Sequence, residues 1–162
     1  MLLLLIAVYA CMDLRDIFPE DSTLYNGIKT WHYMLGLSVF GLVFIRLAAR
    51  LLTATPAIKP TLPKWQARFS FWMHVALYLL MIVMPLLGWL ILSAAGKPIP
   101  FFGLELPALI AKNKANATQI KDIHETIATV GYFLIGLHAA AGLFHHYWVG
   151  DNTLKRMLPF RT

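Results

Sequence analysis

Residues 124–138 read HETIATVGYFLIGLH and lie inside a strongly apolar segment of the chain. The two histidines are fourteen residues apart. On an α-helix that spacing is just under four turns, so His124 and His138 share one face about 21 Å apart. Gly131 lies midway on the same stripe, where a missing side chain leaves room for a flat, bulky group. Ionisable side chains within a membrane span face the interior of the bundle and mark function.

The composition is that of an integral membrane protein. Of 162 residues, 59% are hydrophobic and 14% are charged, and the mean hydropathy is +0.64. An ordinary soluble domain is far more polar. The formal net charge of +6 reflects membrane topology, since no basic cluster interleaved with aromatic residues indicates a nucleic acid partner. The single cysteine, Cys11, excludes an internal disulfide.

Three apolar segments are long enough to cross a bilayer, which takes about 20 residues. They are residues 28–52, 69–95 and 123–149. The opening run, residues 1–12, would reach only about 18 Å as a helix, well short of a hydrocarbon core of about 30 Å. No Lys or Arg precedes Arg15, so this run reads as part of a transmembrane helix and not as a signal peptide.

The expected fold is therefore one all-α domain, residues 1–162: a transmembrane four-helix bundle whose first helix is cut off at its start. The connections are predicted to be polar and rich in helix breakers, including the long one over residues 96–122. Eight basic residues lie on one side of the membrane in this topology, and seven of the eight acids lie on the other. The basic residues are Arg46, Arg50, Lys59, Lys64, Arg68, Lys155, Arg156 and Arg161. By the positive-inside rule, that side and both termini are predicted to be cytoplasmic.

Depth predicts which histidines pair. The second span runs from outside to inside and carries His32 in its first turns, level with His124. His138 lies at the inner level, as does His74, six residues into the third span. Imidazole is a standard axial ligand of haem iron, and helix bundles build cofactor sites between facing helices. We therefore predict an outer haem held by His32 and His124 and an inner haem held by His138, whereas His74 is either a ligand or a hydrogen-bonded packing residue.

Several segments of the chain closely resemble the bacterial cytochrome b561 family, four-helix dihaem proteins of the inner membrane. They are HETIATVGYFLIGLHAAAGLFHHYW (124–148), DNTLKRMLP (151–159), HVALYLLMIVMPLLG (74–88), WH (31–32) and IAVYACMDLRDIFP (6–19). The resemblance covers nearly the whole chain and extends to a member described as a superoxide:ubiquinone oxidoreductase. It implies two b-type haems, superoxide as the donor on the outer side and ubiquinone as the acceptor.

The resemblance also implies ligands. His32 and His124 match the outer haem ligands, and His138 matches one inner ligand. The other inner ligand of the family is a histidine early in the first span, a position that falls about two residues before Met1. An N-terminal truncation is the simplest interpretation. If the start is genuine, the inner haem is missing, five-coordinate or bound through His74.

The functional prediction is an electron-transfer protein that oxidises superoxide and reduces ubiquinone. The sequence contains no candidate catalytic triad, Walker loop, zinc motif or CxxC, so cofactors would supply the chemistry. One alternative is a cytochrome b subunit that passes quinol electrons to or from a peripheral dehydrogenase or hydrogenase partner. Another is a small transporter or anchor that uses its histidines for protons.

Three cations have two interpretations each. Lys29 lies three residues before His32, and Lys121 lies three residues before His124, so each would lie one turn outward of a ligand. They either steer anionic superoxide to the outer haem or are ordinary snorkelling anchors. Arg46 either meets an inner haem propionate or a quinone oxygen, or is an inside-positive anchor.

Overall fold

The chain forms four helices, of which each packs on its neighbour in sequence. The computed structural model describes residues 1–20, 22–53 and 58–155. The elements are α1 (Leu2–Arg15), α2 (Thr23–Leu52), α3 (Lys64–Ala95), β1 (Pro100–Phe101), β2 (Leu104–Glu105) and α4 (Lys114–Phe144), which continues into a π-helical turn, His145–Val149. The predicted all-α four-helix membrane bundle is confirmed. Arg156 and Arg161, used in the topology prediction, lie outside the described residues.

We call the end that carries the α1–α2 and α3–α4 connections the outer end, and the opposite end the inner end. α2 and α4 begin before the predicted apolar spans because a polar side chain caps the start of each. The Ser22 hydroxyl accepts a hydrogen bond from the Tyr25 N–H at 3.2 Å, and the Asn113 side chain accepts one from the Asn116 N–H at 3.1 Å. Residues 114–122, assigned to a connection from sequence, are therefore helical.

Within the described residues, three helices are long and apolar enough to cross a membrane: α2 with 30 residues, α3 with 32, and α4 with its π-helical turn, 36. Their outward faces carry many exposed large apolar side chains, such as Phe44, Ile45 and Phe133. Such a surface is stable where lipid takes the place of water. The protein core is small and centres on α2 and α3, where Val39 and Val43 pack against Met81.

Residues 96–122 were predicted to be a polar connection rich in helix breakers, but part of the first half is apolar and packs on the bundle. Gly96 ends α3 in the left-handed region, at φ +64°. Ile99 is then only 2% exposed and packs against Leu37 of α2 and Leu92 of α3. β1 and β2 form an antiparallel hairpin beyond it. Proline and glycine made this segment look like a loop, but its apolar side chains pack on the bundle.

Candidate functional site

At the outer end, the structure brings together His32 of α2 and His124 of α4. Their ring centroids are 6.4 Å apart, and the ring planes are at 75°. Both side chains are partly buried between the helices. A Cβ built at Gly88 of α3 would lie 3.8 Å from Cε1 of His124, so a small residue on the third helix leaves space for this ring.

The hydrogen bonds of these rings leave nitrogens available to a metal. Nδ1 of His32 donates to the carbonyl oxygen of Val8 at 2.9 Å. That bond orients the ring and leaves Nε2 with its lone pair, as in most histidine–metal sites. Nδ1 of His124 is buried and has no hydrogen-bond partner within the described part of the chain. Buried polar atoms almost always have partners, so an unpartnered one points to a group that belongs there.

The spacing of the two rings fits a single iron between them. Two metal–imidazole bonds of about 2 Å each, together with the distance from each bonding nitrogen to its ring centre, add up to about 6 Å. Two neutral imidazoles are the axial donor set of many b-type haems. Among the described residues, no group of three or more His, Cys, Asp and Glu side chains could hold a metal ion. His32 and His124 therefore fit haem better than a multidentate metal site.

A second histidine pair lies nearer the inner end. The ring centroids of His74 and His138 are 5.1 Å apart, with the planes at 81°. Nδ1 of His74 donates to the Ser70 carbonyl oxygen at 2.6 Å, so its Nε2 carries a lone pair. The backbone bond suits a packing residue, and the proximity to His138 suits a ligand. Arg46 lies exposed on α2, within electrostatic range of His138.

Side chains of α1 and α4 form a link that the sequence did not predict. The Tyr9 hydroxyl donates to the Ala128 carbonyl oxygen at 3.0 Å, and the Tyr132 hydroxyl donates to Asp13 Oδ2 at 2.6 Å. The two tyrosine ring centroids are 4.2 Å apart. A groove of about 390 Å³ runs along these helices beside the link. The room predicted beside Gly131 is filled by Tyr9 and by Leu80.

Each of the two lysines predicted to steer superoxide has a close neighbour: an aromatic ring beside Lys29 and a carboxylate beside Lys121. Nζ of Lys29 lies 4.9 Å from the centroid of the Tyr25 ring, and the Arg15 guanidinium lies 5.5 Å from the same ring. Lys121 pairs with Glu125 at 3.1 Å, and both side chains are 59% exposed. An exposed pair of this kind contributes little to stability, but the carboxylate offsets part of the lysine's field. Arg15, whose place near Lys29 sequence reasoning missed, pairs with Asp16 at 2.7 Å, so a carboxylate offsets part of its field as well.

Asp151 is a buried acid just beyond the inner end of α4, and it is only 3% exposed. His145 Nδ1 donates to its Oδ2 at 3.0 Å, and the Thr153 N–H donates to its Oδ1 at 2.8 Å. The backbone carbonyl of the same residue accepts from His146 Nδ1 at 3.1 Å. Burial alone raises the pKa of Asp151, but the hydrogen bonds from Thr153 and His145 outweigh it and hold that pKa below its ordinary value.

We expect Asp151→Ala to lower the free energy of unfolding at pH 7 by about 2 kcal/mol, because hydrogen bonds to charged groups contribute about 1.5–3 kcal/mol each. A lowered folded-state pKa means that the stabilisation is present above the unfolded-state pKa of about 3.9 and is lost as the pH falls through the folded-state value. Thermal unfolding in detergent should therefore show a gap between wild type and variant that is constant down to about pH 5 and shrinks below about pH 4. Asp122→Ala, at an exposed acid, is the control. An equal gap at all pH values would contradict the role of the Asp151 charge.

Comparisons with known proteins agree with this architecture. Residues 1–160 match the family described as prokaryotic cytochrome b561. The chain is 42% identical over 160 residues to "Cytochrome b561 homolog 1" of Escherichia coli K12, an alignment that covers 98% of this chain and 91% of that protein. It is 35% identical over 158 residues to "Probable superoxide oxidase CybB" of Yersinia pestis, covering 98% and 89%. "Cytochrome b561 homolog 2" of E. coli K12 is 32% identical over 135 residues, covering 83% and 72%.

Proposed function

Because the chain belongs to the prokaryotic cytochrome b561 family, we propose that it oxidises superoxide at its outer end and reduces ubiquinone in the membrane. The family consists of bacterial membrane cytochromes of the b type that transfer electrons. A bound b-type haem supplies a centre that gains and loses single electrons. The chain's own residues then have to hold that centre, set its polarity and control which molecules reach it.

The observation that carries the proposal is the His32–His124 pair, with its buried, unpartnered Nδ1 atom. These two imidazoles are the proposed ligands at the outer end, and the Val8 carbonyl oxygen fixes the orientation of the His32 ring. His138 is the proposed ligand towards the inner end. Its partner is either a histidine upstream of Met1, as the family resemblance implies, or His74, whose ring lies beside it. Arg46 is proposed to lie near an inner propionate or the quinone.

The choice of superoxide rests on the relative named as a probable superoxide oxidase and on the cations at the outer end. Each superoxide anion would give up one electron and leave as O2. Ubiquinone takes up two electrons and two protons, so two superoxide anions are consumed for each ubiquinol formed. The proposed orientation places the outer end in the periplasm and both termini in the cytoplasm of a bacterial inner membrane.

The direct test is to supply the purified protein, in lipid nanodiscs containing ubiquinone, with an enzymatic source of superoxide. The expected result is reduction of the haem, followed by ubiquinol formation at one molecule for every two superoxide anions lost. His32→Ala should abolish the reaction. If superoxide does not reduce the haem, the donor assignment is wrong. A soluble dehydrogenase or hydrogenase that co-purifies with the protein and reduces it would then favour a cytochrome subunit.

We expect Lys29→Gln combined with Lys121→Gln to slow haem reduction by superoxide about two- to five-fold at low ionic strength and to flatten its salt dependence, because local positive potential raises the encounter rate of an anion. Stopped-flow mixing over a range of salt concentrations measures both effects.

The matched control for these lysines is Lys97→Gln with Lys114→Gln. It removes the same charge from exposed positions on the α3–α4 connection and at the start of α4. Both doubly substituted proteins should keep the wild-type haem spectrum. Identical rates and salt slopes in the two would leave Lys29 and Lys121 as membrane anchors.

A further inference from the structure

The β1–β2 hairpin lies at the depth where the apolar part of α2 begins. From Tyr33 to Leu52, α2 is predominantly apolar over about 20 residues, the length that crosses a hydrocarbon core. The backbone N–H of Phe102, at the hairpin tip, approaches Sδ of Met34 at 3.4 Å. The Phe102 ring centroid is 6.3 Å from that of Trp31. The tip is therefore level with the first turn of the apolar run.

The hairpin has one side on the protein and one apolar side that the protein leaves open. Ile99 is buried against α2 and α3, and Phe101 packs partly buried beside it. In contrast, Phe102 is 55% exposed and Leu104 is 67% exposed, next to Trp31 at 52%. A bulky residue is uncommon in the left-handed region, yet Phe102 has φ +47°. A backbone that would suit glycine thus carries a large, exposed aromatic side chain.

Several backbone groups of this connection have hydrogen-bond partners within the protein. The Leu106 N–H donates to the Ile99 carbonyl oxygen at 2.9 Å, which closes the hairpin. Beyond it, the Trp89 Nε1–H donates to the Pro107 carbonyl oxygen at 2.9 Å, and the Leu109 N–H donates to the Ser93 hydroxyl at 3.1 Å. Non-helical backbone tolerates contact with lipid only where its polar groups have such partners.

From these observations, we propose that the hairpin is a lipid anchor whose tip, residues 102–104, enters the interfacial region of the leaflet at the outer end. Its open side adjoins the exposed Trp31 at the start of the apolar part of α2, and α2 presents further exposed apolar side chains, such as Phe44 and Ile45, nearer its other end. Aromatic side chains concentrate at this level of a bilayer. Trp31 and Met34, which contact the tip, lie one residue before and two residues after His32. The anchor therefore holds the His32–His124 pair at a fixed depth just below the aqueous face.

Thiol accessibility tests the anchor, because maleimides react with thiolates in water and not with thiols in lipid. In a Cys11→Ala background, Leu104→Cys, Lys114→Cys and Phe133→Cys are reconstituted in nanodiscs, where both membrane faces are open to a charged maleimide. Lys114 is an exposed residue at the start of α4, and Phe133 is a 75% exposed residue within α4. Each rate is divided by the rate of the same variant in sodium dodecyl sulfate.

The expected result is that Leu104→Cys reacts at least about ten-fold more slowly than Lys114→Cys, nearer to Phe133→Cys. Because Leu104 is exposed on the protein, such protection has to come from lipid. Equal normalised rates at positions 104 and 114 would overturn the proposal. Protection in native membranes that disappears in nanodiscs would also overturn it, in favour of a protein partner on this surface. If Leu104→Cys changes the haem spectrum, Phe102→Cys at the same tip replaces it under the same criteria.

Discussion

In His124→Ala, we expect the haem content of the purified protein to fall by one haem per chain, with the loss confined to the outer site. His32→Ala should give the same result. Each substitution would remove one of the two imidazoles proposed to hold the outer haem, and the remaining imidazole would hold it only weakly. His124→Ala also removes the only side chain of the pair whose buried Nδ1 lacks a partner in the described residues. Pyridine haemochrome assays per chain and low-spin signals in electron paramagnetic resonance measure the loss.

His146→Ala is the matched control for this prediction. It is the same change on the same helical segment, at an imidazole whose Nδ1 is bonded to the Asp151 carbonyl oxygen. It should leave the haem count unchanged. Haem supplied together with imidazole should restore a low-spin haem to His124→Ala, because the free imidazole replaces the missing side chain. A haem count that is unaffected in His124→Ala, or that falls equally in His146→Ala, would contradict the assignment of the outer ligands.

His138→Ala tests whether the inner and outer haems have different ligands. We expect this variant to lose the inner haem and to keep the outer one. His74→Ala then decides between the two interpretations of that residue. If His74 is a ligand, its loss removes the inner haem or converts it to a high-spin form. If it is a packing residue bonded to Ser70, the haem count stays the same and only the thermal stability falls. If either variant lost the outer haem, the assignment of ligands to two sites at different depths would be contradicted.

The apolar spans and the depths of the histidines could be predicted from the sequence because both follow from regular helix geometry. A helix rises uniformly, so residue number alone places His32 level with His124 and His74 level with His138. The structure pairs the rings at the same levels. Apolar length likewise identified all three long helices. The position of a side chain along a membrane span can therefore be predicted from residue number and helix geometry.

Lateral contacts between helices could not be predicted in this way. Nothing in the local sequence around Asp13 or Tyr132 indicates that they bond, since the partners are separated by 119 residues. The same holds for Tyr9 and Gly131, whose contact depends on how α1 tilts against α4. The hairpin was missed because the prolines and glycines of residues 96–107 are typical of a loop, whereas the packing of Ile99 depends on α2 and α3. Asp151 gave no signal of its own, because its burial comes from the turn that follows α4.

The contact between Tyr9 and Gly131 gives an expected effect on stability as large as that of Asp151→Ala. A Cβ built at Gly131 meets the Tyr9 hydroxyl oxygen too closely to be tolerated, and it lies 3.3 Å from both terminal carbons of Leu80. Gly131→Ala would force Tyr9 to move and would weaken its bond to the Ala128 carbonyl oxygen. Overpacking costs about 1–3 kcal/mol and a lost hydrogen bond about 1 kcal/mol. We expect a Tm about 4–8 °C lower in detergent, the shift that corresponds to about 2 kcal/mol in a chain of this size.

Gly136→Ala is the control that isolates the contact from the change in helix propensity. Nothing lies within 4 Å of a Cβ at that position, so the substitution should be neutral or stabilising, since alanine is favoured over glycine in a helix by about 0.8–1 kcal/mol.

Tyr9→Phe removes the clashing oxygen, so it should cost less in the Gly131→Ala background than in the wild type. The double-mutant cycle should give a coupling of at least about 0.5 kcal/mol. Strict additivity would show that Gly131 acts through something other than Tyr9. Coupling of the expected sign would make the contact of the Tyr9 side chain with α4 the reason that this position on the histidine stripe has no side chain.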